Sequence, residues 1–301
     1  IFRDLQYYGR HRHIHRRIEK SEINVIMSSK CLTIEESILR HSGRGMDILY
    51  EYSEKNYCTT AGEALLSLRN DSVIGICTGF YCYGSGETDG PIGTHFLAKA
   101  LKQIGFVPIV ITDSHSSIYF DEETDYKTLN YDTQIHEIPD DFSALIAIER
   151  CGRADDGNYY NMKGKNINET TARIDNLFIG ARCLTIGIGD GGNEIGMGNM
   201  KDIISQKINI IPSVITTTHL IISTVSNWGA YGLIAAISKI TNTNLLPTFG
   251  EVKDFLEKIV NRNAVDGTTG LHTHTVDGFD IKEDETIITE LSKIISQYQK
   301  I

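Results

Sequence analysis

Proline is scarce in this 301-residue sequence, with 5 in all, so no Pro-rich linker divides it. Internal repeats and low-complexity tracts are missing too, and one domain over residues 1–301 is the simplest organisation. Positive charge is under-represented: 29 Lys and Arg stand against 39 Asp and Glu, a formal net charge of -10. A nucleic-acid surface needs clustered Lys and Arg, so no nucleic-acid partner is expected. The local exception, "GRHRHIHRRIEK" (9 to 20), reads as a solvated helix face or oligomer contact ahead of a polyanion site. The six cysteines, Cys31, Cys58, Cys77, Cys82, Cys151 and Cys183, lack the paired C-x-x-C spacing of a zinc site. Several lie in apolar runs, where Cys acts as a small hydrophobe, and a reducing compartment is expected.

Charge itself is missing between Ile208 and Ser238, which contain no Asp, Glu, Lys or Arg. A membrane span would be an option there, but "PSVITTTHLIISTVSNWGAYG" is full of Thr, Ser, Asn and Gly, which a bilayer disfavours. A buried strand followed by a buried helix fits better, and no membrane partner is expected. No signal-peptide pattern opens the sequence, which starts at Ile1 rather than Met. A missing natural start and a cytoplasmic location are the corresponding expectations.

What is present alternates. Residues 1–70 read as mainly helical, with "TIEESILRH" (33 to 41) and "TAGEALLSLRN" (60 to 70) each behind a Thr able to cap. Apolar strand-like runs follow at 72–79, 107–112, 143–149, 182–188 and 213–223. Helical patterns fall at 90–105, ending at Gly105, and at 226–240 and 250–262. The expected fold is α/β, a largely parallel sheet with helices on both faces. Residues 1–70 would be a helical N-terminal extension and 71–301 the α/β core. In such sheets ligands bind at the carboxyl ends of the strands.

Four loops at those ends are unusual: "GSGETDGPIGTH" (84 to 95), "ERCGRADDGNYYNMKG" (149 to 164), "IGIGDGGNEIGMGNM" (186 to 200) and "NAVDGTTGLHTHTVDG" (263 to 278). The third holds a G-x-G-x-x-G at Gly187, Gly189 and Gly192. A dinucleotide loop turns backbone N–H groups on a pyrophosphate, and carboxylates at Asp190 and Glu194 would repel that ligand. Gly196 and Gly198 make a poor helix start, and no acid-ended strand follows at the fingerprint's spacing. No G-x-x-x-x-G-K-[ST] or G-x-S-x-G occurs. No nucleotide cofactor is therefore expected, and nucleophilic catalysis has weak support.

Carboxylates in glycine-rich turns suit a hard divalent cation, Mn²⁺ or Mg²⁺. If the loops are neighbours, Glu87, Asp89, Glu149, Asp190 and Glu194 share one site; helix capping is the competing role for any single acid. Arg150 and Arg153 suit a substrate carboxylate or internal pairing with Glu149 or Asp155. Tyr159, Tyr160 and Asn161 are pocket or packing residues, and Trp228 is core or interface. His95 and His219 are candidate bases, and His272 and His274 candidate ligands, each against a plain structural role.

In this order, "ETDGPIGT", "ERCGRADDGNYYNMKG", "IGDGGNEIGMGN" and "VDGTTG…TVDG" resemble the D-glutamate cyclase family, in particular its C-terminal catalytic domain, from roughly residue 30 to residue 290. The family's preceding domain has no counterpart in this sequence. The resemblance implies conversion of D-glutamate to 5-oxo-D-proline and water, assisted by a divalent cation. It suggests Glu87, Asp89, Asp190 and Glu194 as cation ligands and Glu149, Asp190 and Glu194 as catalytic groups. Substrate contacts then fall to Arg150, Arg153, Asp155, Tyr160 and Asn193. The substrate class is a small acidic amino acid, and a homo-oligomer is expected. Two rivals remain: a metal-dependent hydrolase of a phosphate ester or amide, and a non-catalytic sensor of a cation or acidic amino acid.

Overall fold

The structure, a computed structural model, describes residues 32–120 and 124–298. The basic stretch at 9–20 and Cys31 lie outside them. Among the described residues three helices precede the first strand: α1 (Ile34–Ile38), α2 (Met46–Tyr52) and α3 (Tyr57–Leu66). Thr33 starts α1 with a capping box, its hydroxyl accepting from the Glu36 amide while the Glu36 carboxylate accepts from the Thr33 amide. Thr60 does not cap; it lies inside α3, which begins at Tyr57, and its hydroxyl donates to the Asn56 carbonyl.

Then follow β1 (Val73–Thr78), the two-strand ribbon of β2 (Tyr81–Cys82) and β3 (Ser85–Gly86), α4 (Pro91–Gln103), β4 (Val107–Thr112), β5 (Lys127–Asn130) and α5 (Tyr131–Gln134). The chain continues through β6 (Ala144–Ile148), β7 (Leu184–Gly189), α6 (Lys201–Lys207), β8 (His219–Ile222), α7 (Ser226–Thr241) and α8 (Phe249–Val260). A ribbon of β9 (Thr275–Val276) and β10 (Phe279–Asp280) leads into α9 (Lys282–Tyr298). α4 stops where the sequence suggests. Gly105 takes φ +96°, its amide bonds the Lys102 carbonyl and that of Phe106 bonds Leu101, a Schellman closure.

Six strands form one parallel sheet in the order β5-β4-β1-β6-β7-β8. β1, β6 and β7 are buried along almost their whole length, which is why their sequences are continuous apolar runs rather than alternating ones. Helices cover the two faces unequally. On one side α7 packs against α1, α3, α4 and α9 in the larger core. Residues 226–238 of α7 are buried on every side, which accounts for the helical half of the uncharged stretch; before it the strand is shorter than the 213–223 expected, only β8, and is half-buried at His219 and Leu220. On the other side Cys77, Ile109, Ile111, Leu145 and Ala147 meet Ile174 and Phe178 from a 3₁₀ segment, with Ile195 and Ile215 from loops.

Chain direction across the sheet reverses at β1. From it the path runs outward to β4 and β5, then returns beside it as β6 and continues to β7 and β8. The crevice between the carboxyl ends of β1 and β6 is the expected place for a ligand in such a sheet.

Candidate active site: a crowd of buried carboxylates

Each acid stands where a strand ends. Glu149 follows β6, Asp190 follows β7, and Glu87 and Asp89 follow the ribbon after β1. Glu149 sits at φ +46°, a left-handed geometry rare outside glycine, and its Oε2 accepts from the Ser226 hydroxyl at 2.6 Å. Asp277, from the turn between β9 and β10, joins them.

The glycine loop answers its own question. Glu194 folds back so that Oε1 accepts from the Gly191 amide at 2.8 Å and Oε2 from the Gly192 amide at 2.7 Å. The N–H groups that a phosphate would need are thereby occupied by the loop's own carboxylate. Gly187 has a different reason to be glycine: a Cβ there would lie 2.4 Å from the Ile195 carbonyl oxygen.

Asp89 caps the start of α7 and also accepts from the Gly90 amide, at the start of the helix that follows it in sequence, at 2.9 Å. Its Oδ2 accepts from the Ser226 amide and its Oδ1 from the Asn227 amide, both at 2.8 Å, at the start of α7. In return Asn227 Oδ1 accepts from the Gly90 and Gly93 amides at the start of α4, at 2.9 and 2.7 Å. Two helix N-termini thus cap each other across the site and turn their positive ends toward the acids.

These carboxyls are held above their ordinary range. Burial is the main cause at Glu149, with Glu194 and Asp89 adding repulsion. Burial also leads at Glu87, reinforced by Glu149 and Asp277. Asp89 is pushed up to about 7 by burial and Asp277, against the pull of the Asn227 and Ser226 amides. At Asp190 burial outweighs the stabilising Arg44 guanidinium.

Arg44, from the turn between α1 and α2, is the cation that reaches the cluster. Its Nη2 contacts Asp190 Oδ2 at 2.7 Å, Asp277 Oδ2, and the Thr224 carbonyl at 3.0 Å. One guanidinium does not balance six carboxylates in a region this dry.

Above the acids opens a cavity of about 850 Å³ lined by Arg44, Glu87, Glu149, Asn193 and Asp277, with Lys163 and Lys165 in its wall. Among the described residues, ligand oxygens of Asp89, Asp190 and Asp277 lie within 4.8 Å of one another, as do those of Glu149, Asp190 and Glu194. Glu87 Oε1 and Asn193 Oδ1 are buried without a hydrogen-bond partner in the same place. An all-oxygen donor set with two unsatisfied acceptors fits a hard divalent cation.

The structure therefore gathers Glu87, Asp89, Glu149, Asp190, Asn193 and Glu194, all singled out by sequence, at one strand edge. Asn161 also lines the cavity, whereas Arg150, Arg153, Asp155 and the Tyr160 side chain are not brought there. Arg150 is 1% exposed, and its guanidinium donates to Asp113 Oδ2 at 2.5 Å and to the Gly79 and Ala172 carbonyls. Arg153 pairs with Asp175, Asp155 with Lys201, and the Tyr160 hydroxyl with Asp156. Both arginines are paired internally, but with Asp113 and Asp175 rather than with Glu149 or Asp155. Cys82 lines the cavity, with its thiol pushed well up by burial and by Glu87. His95 stacks on Phe255 with ring centroids 4.2 Å apart, and burial lowers it to about 4. His272 lies within hydrogen-bond distance of the Ala264 carbonyl.

Sequence reasoning missed Arg44 and Asp277. Arg44 carries no local signal beyond two flanking glycines. Asp277 had one, the second V-D-G. The first, at Asp266, is a turn builder: amides of Gly278, Thr268 and Thr269 donate to its carboxylate.

The family described as D-glutamate cyclase-like, C-terminal, matches residues 34–292. This chain belongs to that family. The match covers every residue of the acid cluster and Arg44. The mitochondrial D-glutamate cyclase of Homo sapiens is 33% identical over 209 residues. That alignment covers 58% of this chain and 34% of the human protein, so the chain matches about a third of its relative's length. Among solved structures, an exopolyphosphatase-related protein from Bacteroides fragilis superposes with a TM-score of 0.40 at 14% identity, over 82% of this chain and 60% of that one. No described helix is long and apolar enough to cross a membrane.

Proposed function

We propose that the chain is a D-glutamate cyclase-like enzyme that closes D-glutamate to 5-oxo-D-proline with loss of water, assisted by a divalent cation. The observation that carries this reading is the uncompensated group of buried carboxylates beneath an open cavity at the β1–β6 crevice. Family membership and the human relative's name supply the substrate.

In the reaction the α-nitrogen bonds to the γ-carboxyl carbon, one γ C–O bond breaks, and two protons leave the nitrogen with that oxygen as water. The nitrogen must therefore give up two protons, one to a base before it attacks and one after the ring bond forms, and the departing oxygen must receive both, the last from an acid. Glu149 lines the cavity and shares it with Glu87; with both held above the ordinary range, one can stay protonated while its neighbour is ionised. In this reading Glu149 takes the first proton from the ammonium and the second from the nitrogen once the ring bond has formed, and Glu87 relays both to the leaving oxygen. Asp190 and Glu194, with Asp89 and Asp277, would hold the cation, whose chemistry there is to polarise the γ-carboxylate and take up charge on its oxygens. Lys163 and Lys165 stand in the cavity wall, where an α-carboxylate can reach them. Holding the folded amino acid between wall and floor supplies the proximity that ring closure needs.

The test is incubation of the purified protein with D-glutamate and separately L-glutamate, each with Mn²⁺ and with chelator, followed by mass spectrometry for 5-oxoproline. Product from the D-form alone, dependent on the cation, is expected. No product from D-glutamate under any divalent cation would overturn the reading.

A further inference from the structure

Arg44 occupies an unusual place for an arginine. Around its single Nη2 stand three oxygens, Asp190 Oδ2, Asp277 Oδ2 and the Thr224 carbonyl, while an –NH₂ group has only two hydrogens to donate. The contact resembles an ion held by oxygens more than a forked pairing with one carboxylate. Two of those three oxygens belong to the Asp89–Asp190–Asp277 triad, whose ligand atoms lie within 4.8 Å of one another. The third member, Asp89, is fixed by the α7 amides and does not depend on Arg44. Nor is Arg44 built into the sheet. It reaches in from the connection between α1 and α2, between Gly43 and Gly45, and its side chain is 32% exposed. Beside it, Glu87 Oε1 and Asn193 Oδ1 are buried and unsatisfied, so the cluster retains acceptor capacity that Arg44 does not meet.

We infer that Arg44 is a tethered counter-cation: it holds the place of the divalent ion among Asp190 and Asp277 and must be displaced when the ion binds. This rests on the cation site of the proposed function. A built-in charge of this kind keeps the cation-free cluster from repelling itself apart. It also sets a threshold, because an ion enters only by outcompeting a guanidinium that is always charged. Weakly held monovalent ions are thereby excluded, and divalent affinity is lower than the carboxylates alone would give.

The experiment is titration calorimetry of the full chain with Mn²⁺ alone, without substrate, for the wild type and Arg44→Gln. The expected result is tighter Mn²⁺ binding by the variant, by on the order of tenfold, the usual size of coupling between two competing ligands. Unchanged or weaker binding by the variant would overturn the inference, since Arg44 would then support the ion rather than compete with it. If neither protein binds Mn²⁺, the cation reading fails as well. Mn²⁺ binding without cyclisation of D-glutamate would sink the proposed reaction and leave the role of Arg44 standing. Should Arg44→Gln not fold, the wild type serves: the Arg44 Nε–H resonance should move toward that of a solvated arginine as Mg²⁺ saturates the protein. A resonance that does not move would refute displacement.

Discussion

Arg150 and Arg44 both reach buried acids in this protein, and they stand in opposite situations. Arg150 is 1% exposed and meets one carboxylate, Asp113, with two backbone carbonyls taking further hydrogens. Arg44 contacts Asp190 and Asp277 directly, with Asp89, Glu87, Glu149 and Glu194 crowded behind them. The first pair is charge-balanced, one guanidinium to one carboxylate, although the Arg150 Nε is buried without a partner. The second is open to a cavity and heavily over-supplied with negative charge. Such imbalance is relieved by protonating some of the acids or by binding a cation, and this is the physical ground for locating function at Arg44 rather than at Arg150.

The comparison can be broken at either arm. The largest effect is expected at the balanced one: Arg150→Ala strands Asp113 and two buried carbonyls. It should lower unfolding free energy by about 3–5 kcal/mol, read by denaturant titration. A change near zero would mean that the pair is not the structural element described. At the unbalanced arm the sign reverses, because adding charge should help. Mn²⁺ at about 100 times its Kd should stabilise the fold by about 2.7 kcal/mol, seen as a rise in melting temperature that chelator reverses. Insensitivity of the melt to every divalent cation would remove the imbalance argument.

The smallest effect sharpens the contrast with a third buried acid. Asp284 in α9 accepts from Trp228 Nε1 and the Tyr231 hydroxyl, both at 3.1 Å. Burial raises it to about 6 from its ordinary 3.8, against those two hydrogen bonds. A raised folded-state value favours the protonated form in the folded protein. The stability it contributes is full below about pH 4 and is lost as pH rises through 6. Asp284→Asn should flatten the fall in stability across that window relative to wild type, in melts taken from pH 4 to 7. An identical pH slope in the two proteins would show that Asp284 does not titrate there.

Much of this was legible in the sequence, for identifiable reasons. Continuous apolar runs mark β1, β4, β6 and β7 because a parallel sheet is covered on both faces, and a charge-free stretch marks α7 because it is buried all round. β5, "KTLN", escaped notice because an edge strand with one buried residue has no such run. α9 could have been found, since Ile287, Ile288, Leu291, Ile294 and Ile295 repeat at helical spacing. At the site, acids beside glycines at strand ends were readable, since their burial without partners in sequence is itself the anomaly. The roles given to Arg150 and Arg153 went astray because sequence shows a charge but not its partner. Asp113 and Asp175 come to them across 37 and 22 residues of chain. Arg44 was invisible for the same reason, 146 residues from Asp190.

The central claim is that the uncompensated acids do chemistry while the balanced ones hold the fold, and Glu149→Gln tests it most directly. Gln can keep the contact from the Ser226 hydroxyl while removing one negative charge from the crowd. Cyclisation of D-glutamate should fall by roughly 10²–10⁴-fold, the loss expected for a proton-transferring group, while the melting temperature holds or rises. Full turnover in the variant, or lost turnover together with a collapsed melt, would contradict the account.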